Sequence, residues 1–178
     1  MKKMATLTTF SALMLLSSFQ GAAAADTVLQ VSTWAGPNHG VNTIVWPTWG
    51  KWVEEATDGR VSVNVTHDLG PPNAQMELVA DGVADVTWLF HGLMPGRFEL
   101  TKLPEFPTFE DFSSENASVA YWRTHQEYLS DAGEHRGVEV LGLGVHGPGA
   151  LFLAEPIESL DDLQGRRARI GGGVMADI

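Results

Sequence analysis

The pattern that most limits what this chain can fold into is a strand, a helix and a second strand in direct succession. Val28-Leu29-Gln30-Val31-Ser32-Thr33-Trp34 is a β-branched-rich run, and Ala35-Gly36-Pro37-Asn38 interrupts it as a turn does. Val41, Val45, Trp49, Trp52, Val53 and Ala56 then recur at three- and four-residue intervals, the spacing of one helix face, until Asp58-Gly59 supplies a stop. Pro47 either kinks this helix or marks its true first turn, because proline has no backbone N–H to donate. Val61, Val63 and Val65 alternate with Ser62, Asn64 and Thr66, which gives a second strand with one apolar face. The result is a βαβ unit.

The rhythm repeats. Asn73 is placed to cap a helix carrying Met76, Val79 and Ala80, Gly82 to end it, and residues 86–90 to form a third strand. Residues 92–112 are rich in Pro, Gly and Phe without a period and read as a long connection, with Phe98, Phe106, Phe109 and Phe112 packed beneath it. Ser113 is placed to cap a longer helix whose Ala117, Ala120, Tyr121, Tyr128 and Ala132 face inward, stopped by Gly133, and residues 138–145 follow as a fourth strand. The alternation predicts an α/β fold. After Gly147-Pro148-Gly149 the expected pieces are a short strand at 150–154, a Ser159-to-Asp162 capping box opening a short helix, and a strand at 166–170.

The N-terminus has the charged start, apolar core and small-residue exit of a secretory signal, in Met1-Lys2-Lys3, residues 7–16 and Ala23-Ala24-Ala25. Cleavage after Ala25 is expected, with Asp26 as the new first residue. The apolar stretch is well short of the ~20 residues that span a bilayer, so it reads as a leader rather than an anchor. The chain has no cysteine, which excludes a lipid on an N-terminal cysteine as well as disulfides. Its net charge of −11 becomes −13 without Lys2 and Lys3, nine cations against 22 acids. Such a surface repels nucleic acid and anionic lipid, and a soluble periplasmic product is expected.

Catalytic readings find little support in the residues. Gly142-Leu143-Gly144-Val145-His146-Gly147 matches the dinucleotide fingerprint literally, but Pro148-Gly149 and an apolar run follow where a helix N-terminus must aim at the pyrophosphate. No cofactor is expected. His39, His67, His91, His125, His135 and His146 show no local metal-ligand spacing, so no metal is expected either. No nucleophile motif or paired carboxylate argues for catalysis.

An ordered set of segments carries a resemblance. Val31-Ser32-Thr33-Trp34, the run Trp52-Val53-Glu54-Glu55-Ala56-Thr57-Asp58-Gly59-Arg60-Val61, the step Asp81-Gly82-Val83-Ala84-Asp85, and Leu160-Asp161-Asp162-Leu163-Gln164-Gly165 before Arg166-Arg167-Ala168-Arg169-Ile170 resemble the solute-binding subunit of tripartite ATP-independent periplasmic (TRAP) transporters. The resemblance implies a periplasmic-binding-protein-like, two-lobed α/β receptor, not an enzyme, that closes on an organic acid and delivers it to TRAP membrane subunits driven by an ion gradient. It places residues 26–147 as most of lobe one and 148–178 as the start of an incomplete lobe two, and so implies an N-terminal fragment. It also implies that Arg169 pairs with the ligand carboxylate, a role the parallel donors of a guanidinium suit.

Loops leaving strand ends are the usual ligand sites of open α/β sheets, which adds Trp34, His39, Phe90, His91 and His146 as candidates. Trp34 and Phe90 suit the apolar body of a ligand. Trp88 reads as core. The competing readings are the receptor of an ATP-driven uptake system, and an exported hydrolase or metal-dependent enzyme.

Overall fold

The computed structural model describes residues 25–106 and 113–171. Apart from Ala25, the expected signal lies outside the described residues, as do Phe109, Phe112 and the stretch from Gly172 onward.

The expected βαβ unit is present. Strand β1 (Thr27–Thr33) leads through a wide π turn at Val41–Val45 into helix α1 (Trp46–Ala56), and strand β2 (Val61–His67) follows. β2 pairs with β1 in parallel, from Thr27 opposite Val61 to Thr33 opposite His67. Helix α2 (Gln75–Ala80) leads to the short strand β3 (Val86–Thr87), which pairs with the other edge of β1 at Val31 and Ser32. The sheet order is β2-β1-β3, so β1 is central. Its last three residues, Val31, Ser32 and Thr33, are completely buried.

Pro47 sits in the first turn of α1, so it marks the start of the helix and no kink is needed. The apolar stripe differs from the expected one. Trp46 is buried and Trp49, Gly50 and Val53 are half-buried, whereas Val45, Trp52 and Ala56 are exposed. A π turn carries extra chain per revolution, and one residue shifts a helix face by about 100°, so the spacing that links Val41 to Val45 does not continue in phase. Gly50 lets α1 approach the sheet, for a Cβ there would stand 3.2 Å from Val63 Cβ. The helix ends on Thr57, whose hydroxyl donates to Val53 O (2.8 Å) and accepts from Val61 N–H (3.1 Å), which ties the stop of α1 to the start of β2.

Asn73 does not cap α2: it lies inside a 3-10 turn, Pro72–Ala74, that leads into the helix without a side-chain cap. α2 instead contributes the fully buried Gln75. Its Oε1 accepts from Ser32 Oγ (2.7 Å) and lies 2.7 Å from Thr87 Oγ1, while its Nε2 donates to Gly70 O (2.8 Å). One amide thus joins β1, β3 and the turn after β2. Buried polar groups must be paired in this way, because each orphan costs its full desolvation.

Helix α3 (Ser114–Thr124) is capped as expected, with Ser113 Oγ accepting from Asn116 N–H at 3.2 Å. It continues through a π turn, His125–Leu129, and a 3-10 turn, Ser130–Ala132, to Gly133 at φ 75°. Tyr121 and His125 are its buried residues, while Ala120, Tyr128 and Ala132 are exposed, again out of phase with the expected stripe. The strands expected at 138–145, 150–154 and 166–170 do not form, and residues 88–90 do not extend β3. A strand needs a ladder partner, and β3 offers a paired edge of only two residues. Residues 138–145 are tied to α3 instead: Ser118 Oγ accepts from Val145 N–H (2.9 Å) and lies 3.2 Å from Val145 O. Gly144 permits this approach, since a Cβ there would lie 3.2 Å from Ser118 Oγ. Asp162 accepts from Ser159 N–H (3.0 Å) as a capping box requires, but it opens a 3-10 turn, Leu160–Leu163, rather than an α-helix. Among the described residues, no helix is long and apolar enough to cross a membrane.

Candidate functional site

β1 and β3 run in parallel, so both release their chains at the same edge of the sheet, and the first residue beyond each is a tryptophan. Trp34 and Trp88 stack there with ring centroids 4.4 Å apart and planes 21° from parallel. Two hydrogen bonds lock the pair: Trp34 Nε1–H donates to Trp88 O (3.1 Å), and Trp88 Nε1–H donates to Thr33 Oγ1 (3.1 Å). Phe90 meets both edge-on, at 5.8 Å from Trp34 and 5.6 Å from Trp88. Such aromatic contacts add about 0.5–1.5 kcal/mol each beyond area burial, enough to hold the rings as a rigid wall.

Two exposed histidines border this wall. His39 lies 5.8 Å from Trp88, and His146 stands edge-on to Phe90 at 5.6 Å. Asn42 Nδ2 fixes the loop that carries His39, donating to Ala35 O and Gly36 O at 2.9 Å each. Four expected site residues, Trp34, His39, Phe90 and His146, are therefore brought together. Trp88, which the sequence suggests as core, is the ring that joins them.

His91 turns the other way. Its Nδ1 lies 3.1 Å from Thr101 O, and a carbonyl can only accept, so Nδ1 carries the proton and Nε2 a lone pair. His135 Nε2–H then donates to His91 Nε2 at 3.1 Å. Phe98 stacks on His91 at 4.2 Å, and the buried His125 meets His135 edge-on at 5.1 Å. Burial pushes the pKa of His91 down and, together with the neighbouring His91 and His125, that of His135 to about 4. Tyr121, whose hydroxyl donates to Thr101 O, is pushed up by burial. Burial alone would raise the Glu134 carboxyl. The donors converging on it from Leu100, Thr101 and Glu99 outweigh burial and hold its pKa below the usual value. This is a second, largely buried polar cluster. Sequence reading misses it, because residues 91, 98, 101, 121, 125, 134 and 135 share no spacing.

Arg169 is exposed on the segment after the 3-10 turn and makes no hydrogen bond or ion pair among the described residues. Among those residues, no group of three His, Asp or Glu is arranged to hold a metal ion. Open hollows of about 720 Å³, beside Glu77, Met94 and Arg97, and about 550 Å³, beside Trp122, His125 and Val138, are lined by neither tryptophan of the wall. What the wall can do chemically is cover the flat face or edge of an apolar ligand and offer imidazole nitrogens at its border.

Known proteins resemble this chain over most of its length. The family model DctP, described as bacterial extracellular solute-binding protein, family 7, matches residues 31–177. The outer membrane transporter protein TsaT of Comamonas testosteroni is 34% identical over 175 residues, 97% of this chain and 50% of the relative. A TRAP periplasmic solute-binding protein of Bordetella bronchiseptica, solved with (R)- and (S)-mandelate bound, superposes with a TM-score of 0.75 at 39% identity, covering 84% of this chain and 48% of that one. A TRAP solute-binding protein of Rhodoferax ferrireducens, solved with copurified benzoate, gives a TM-score of 0.61 at 29% identity, covering 68% of this chain and 38% of that one. The chain spans about half the length of the curated relative it matches. The fold is that of the TRAP periplasmic binding proteins, over a part of their length that fits one lobe.

Proposed function

Because the chain belongs to family 7 of the bacterial extracellular solute-binding proteins, we propose that it is a periplasmic receptor for an organic acid with an aromatic body, which it hands to TRAP membrane subunits. The observation that carries this reading is the wall of Trp34, Trp88 and Phe90 at the sheet edge, bordered by His39 and His146. In it, residues 26–147 contribute most of the first lobe and residues 148–178 begin the second. The wall takes the ligand's ring. Arg169 takes its carboxylate through paired N–H donors, which fix orientation as well as charge. His91, committed to Thr101 and His135, is left out of the site. The relatives' bound mandelate and benzoate support an aromatic carboxylate as the ligand class. The chain performs no catalysis in this account, and its leader is removed near Ala25 on export.

The test is a thermal-shift screen of the full-length protein against aromatic and aliphatic carboxylates, because a ligand that binds only the native state raises its stability by mass action. Benzoate or a close analogue should raise the midpoint saturably and emerge unaltered. Stabilisation by aliphatic acids alone, or conversion of the ligand to a product, would overturn the reading.

A further inference from the structure

The two indoles of the wall are fastened in different ways. Trp34 Nε1–H donates to the backbone carbonyl of Trp88 at 3.1 Å, an acceptor that any residue at 88 supplies. Trp88 Nε1–H donates instead to a side chain, the Thr33 hydroxyl, at 3.1 Å, so the residue at 33 decides whether that anchor exists. The register puts it in reach. β1 and β3 pair Val31 with Val86 and Ser32 with Thr87, and one step further along sets Thr33 beside Trp88.

Thr33 is completely buried at the end of β1. Valine is branched in the same way and carries no polar atom, whereas a buried hydroxyl costs desolvation that only a partner offsets. Here the partner is the indole that contacts Trp34, Phe90 and His39 together. We propose that Thr33 is a positioning residue of the ligand site: with no surface of its own to offer a ligand, it fixes the plane of Trp88 and through it the aromatic wall. This rests on the receptor reading above, and names the residue that holds that site's central ring.

The size of the effect follows from what remains when the anchor is lost. Trp88 is half-buried, so an unanchored ring is free to turn out of the stack, and affinity falls by the fraction of molecules whose wall is assembled. One neutral hydrogen bond shifts such an equilibrium by about tenfold at most. Contacts with Trp34 and Phe90 still hold part of the population, so an aromatic acid should bind roughly three- to tenfold more weakly.

Titration calorimetry with benzoate on the full-length protein and its variants tests the role. Thr33→Val should show that loss. Thr33→Ser and Thr33→Ala both drop the methyl and differ only in the hydroxyl, so serine should bind more tightly than alanine by a similar factor. In a Trp88→Phe background, which keeps a ring but has no N–H to anchor, Thr33→Val should change the affinity by less than about twofold, an outcome that general loosening of the fold would not give. Hydrogen exchange read by NMR supplies an arm without ligand: the Trp88 indole N–H, assigned by its loss in Trp88→Phe, should exchange slowly in the native protein and in Thr33→Ser, and rapidly in Thr33→Val and Thr33→Ala. Unchanged affinity in Thr33→Val, an equal loss in the Trp88→Phe background, or an indole N–H still protected without the hydroxyl would overturn the positioning role and leave the receptor reading intact. If the native protein binds no benzoate while its Trp88 N–H is protected as expected, the receptor reading falls and the role at its site falls with it. Thermal melts show that each affinity is read on folded protein, and if Thr33→Val does not fold, the serine and alanine pair decides.

Discussion

Replacing Gln75 by Met should cost more than any contact its side chain makes with apolar neighbours, because the amide satisfies groups on three separate segments. Without it, Ser32 Oγ–H loses its acceptor at 2.7 Å and Gly70 O its donor at 2.8 Å. Thr87 is spared, since its hydroxyl also lies 3.0 Å from Ser32 O. Two orphans, one buried and one half-buried, at about 1–3 kcal/mol each, less about 1 kcal/mol for the added apolar burial, leave a net loss of roughly 1–5 kcal/mol. That is a large part of the 5–15 kcal/mol a typical domain has (roughly). Urea unfolding followed by tryptophan fluorescence reads the loss directly, and the double variant Ser32→Ala with Gln75→Met should lose less than the two single variants together, because it removes one of the orphans. A Gln75→Met loss below about 0.5 kcal/mol, or strict additivity with Ser32→Ala, would show that the amide does not hold the strand ends and that the reasoning is wrong.

Acid should destabilise the fold in a defined window. His91 and His135 are held below their ordinary 6.5, His135 at about 4, so in between the unfolded chain binds more protons and stability falls as pH drops from 6.5 toward 4. Glu134, also held low, extends the loss to more acid pH, and His135→Asn should flatten the upper part of the curve in melts taken across this range. Trp88→Ala removes the ring that contacts Trp34, Phe90 and His39 together, and should weaken an aromatic acid more than tenfold (roughly), measured by calorimetry on protein shown to be folded. Arg169→Lys keeps the charge but loses the paired donors, so a carboxylate ligand should weaken about ten- to a hundredfold while the melting midpoint stays put; unchanged affinity and enthalpy would remove Arg169 as the anchor.

The βαβ unit was legible because its elements announce themselves locally, as Val61, Val63 and Val65 do by alternating, and the start of α3 was legible because Ser113 caps it as its side chain predicts. The phase of the helices was not, because π turns at Val41–Val45 and His125–Leu129 move the buried face without leaving a mark in the residue types. Residues 138–145 and 166–170 have strand composition, but a ladder depends on a distant partner that composition does not name. The wall was half legible. Trp34 and Phe90 stand at strand exits, where ligands are expected, whereas the central place of Trp88 depends on the register of β1 against β3. Gln75 carries a faint signal, a polar residue beside the buried Met76 on an otherwise apolar face.

The central claim is that the aromatic wall and Arg169 hold the two ends of one ligand. A crystal structure of the full-length protein grown with benzoate tests it most directly. The account predicts the benzoate ring against Trp34, Trp88 and Phe90, with both carboxylate oxygens on the Arg169 guanidinium. Benzoate bound away from the wall, or with its carboxylate on another residue and Arg169 in solvent, would contradict it.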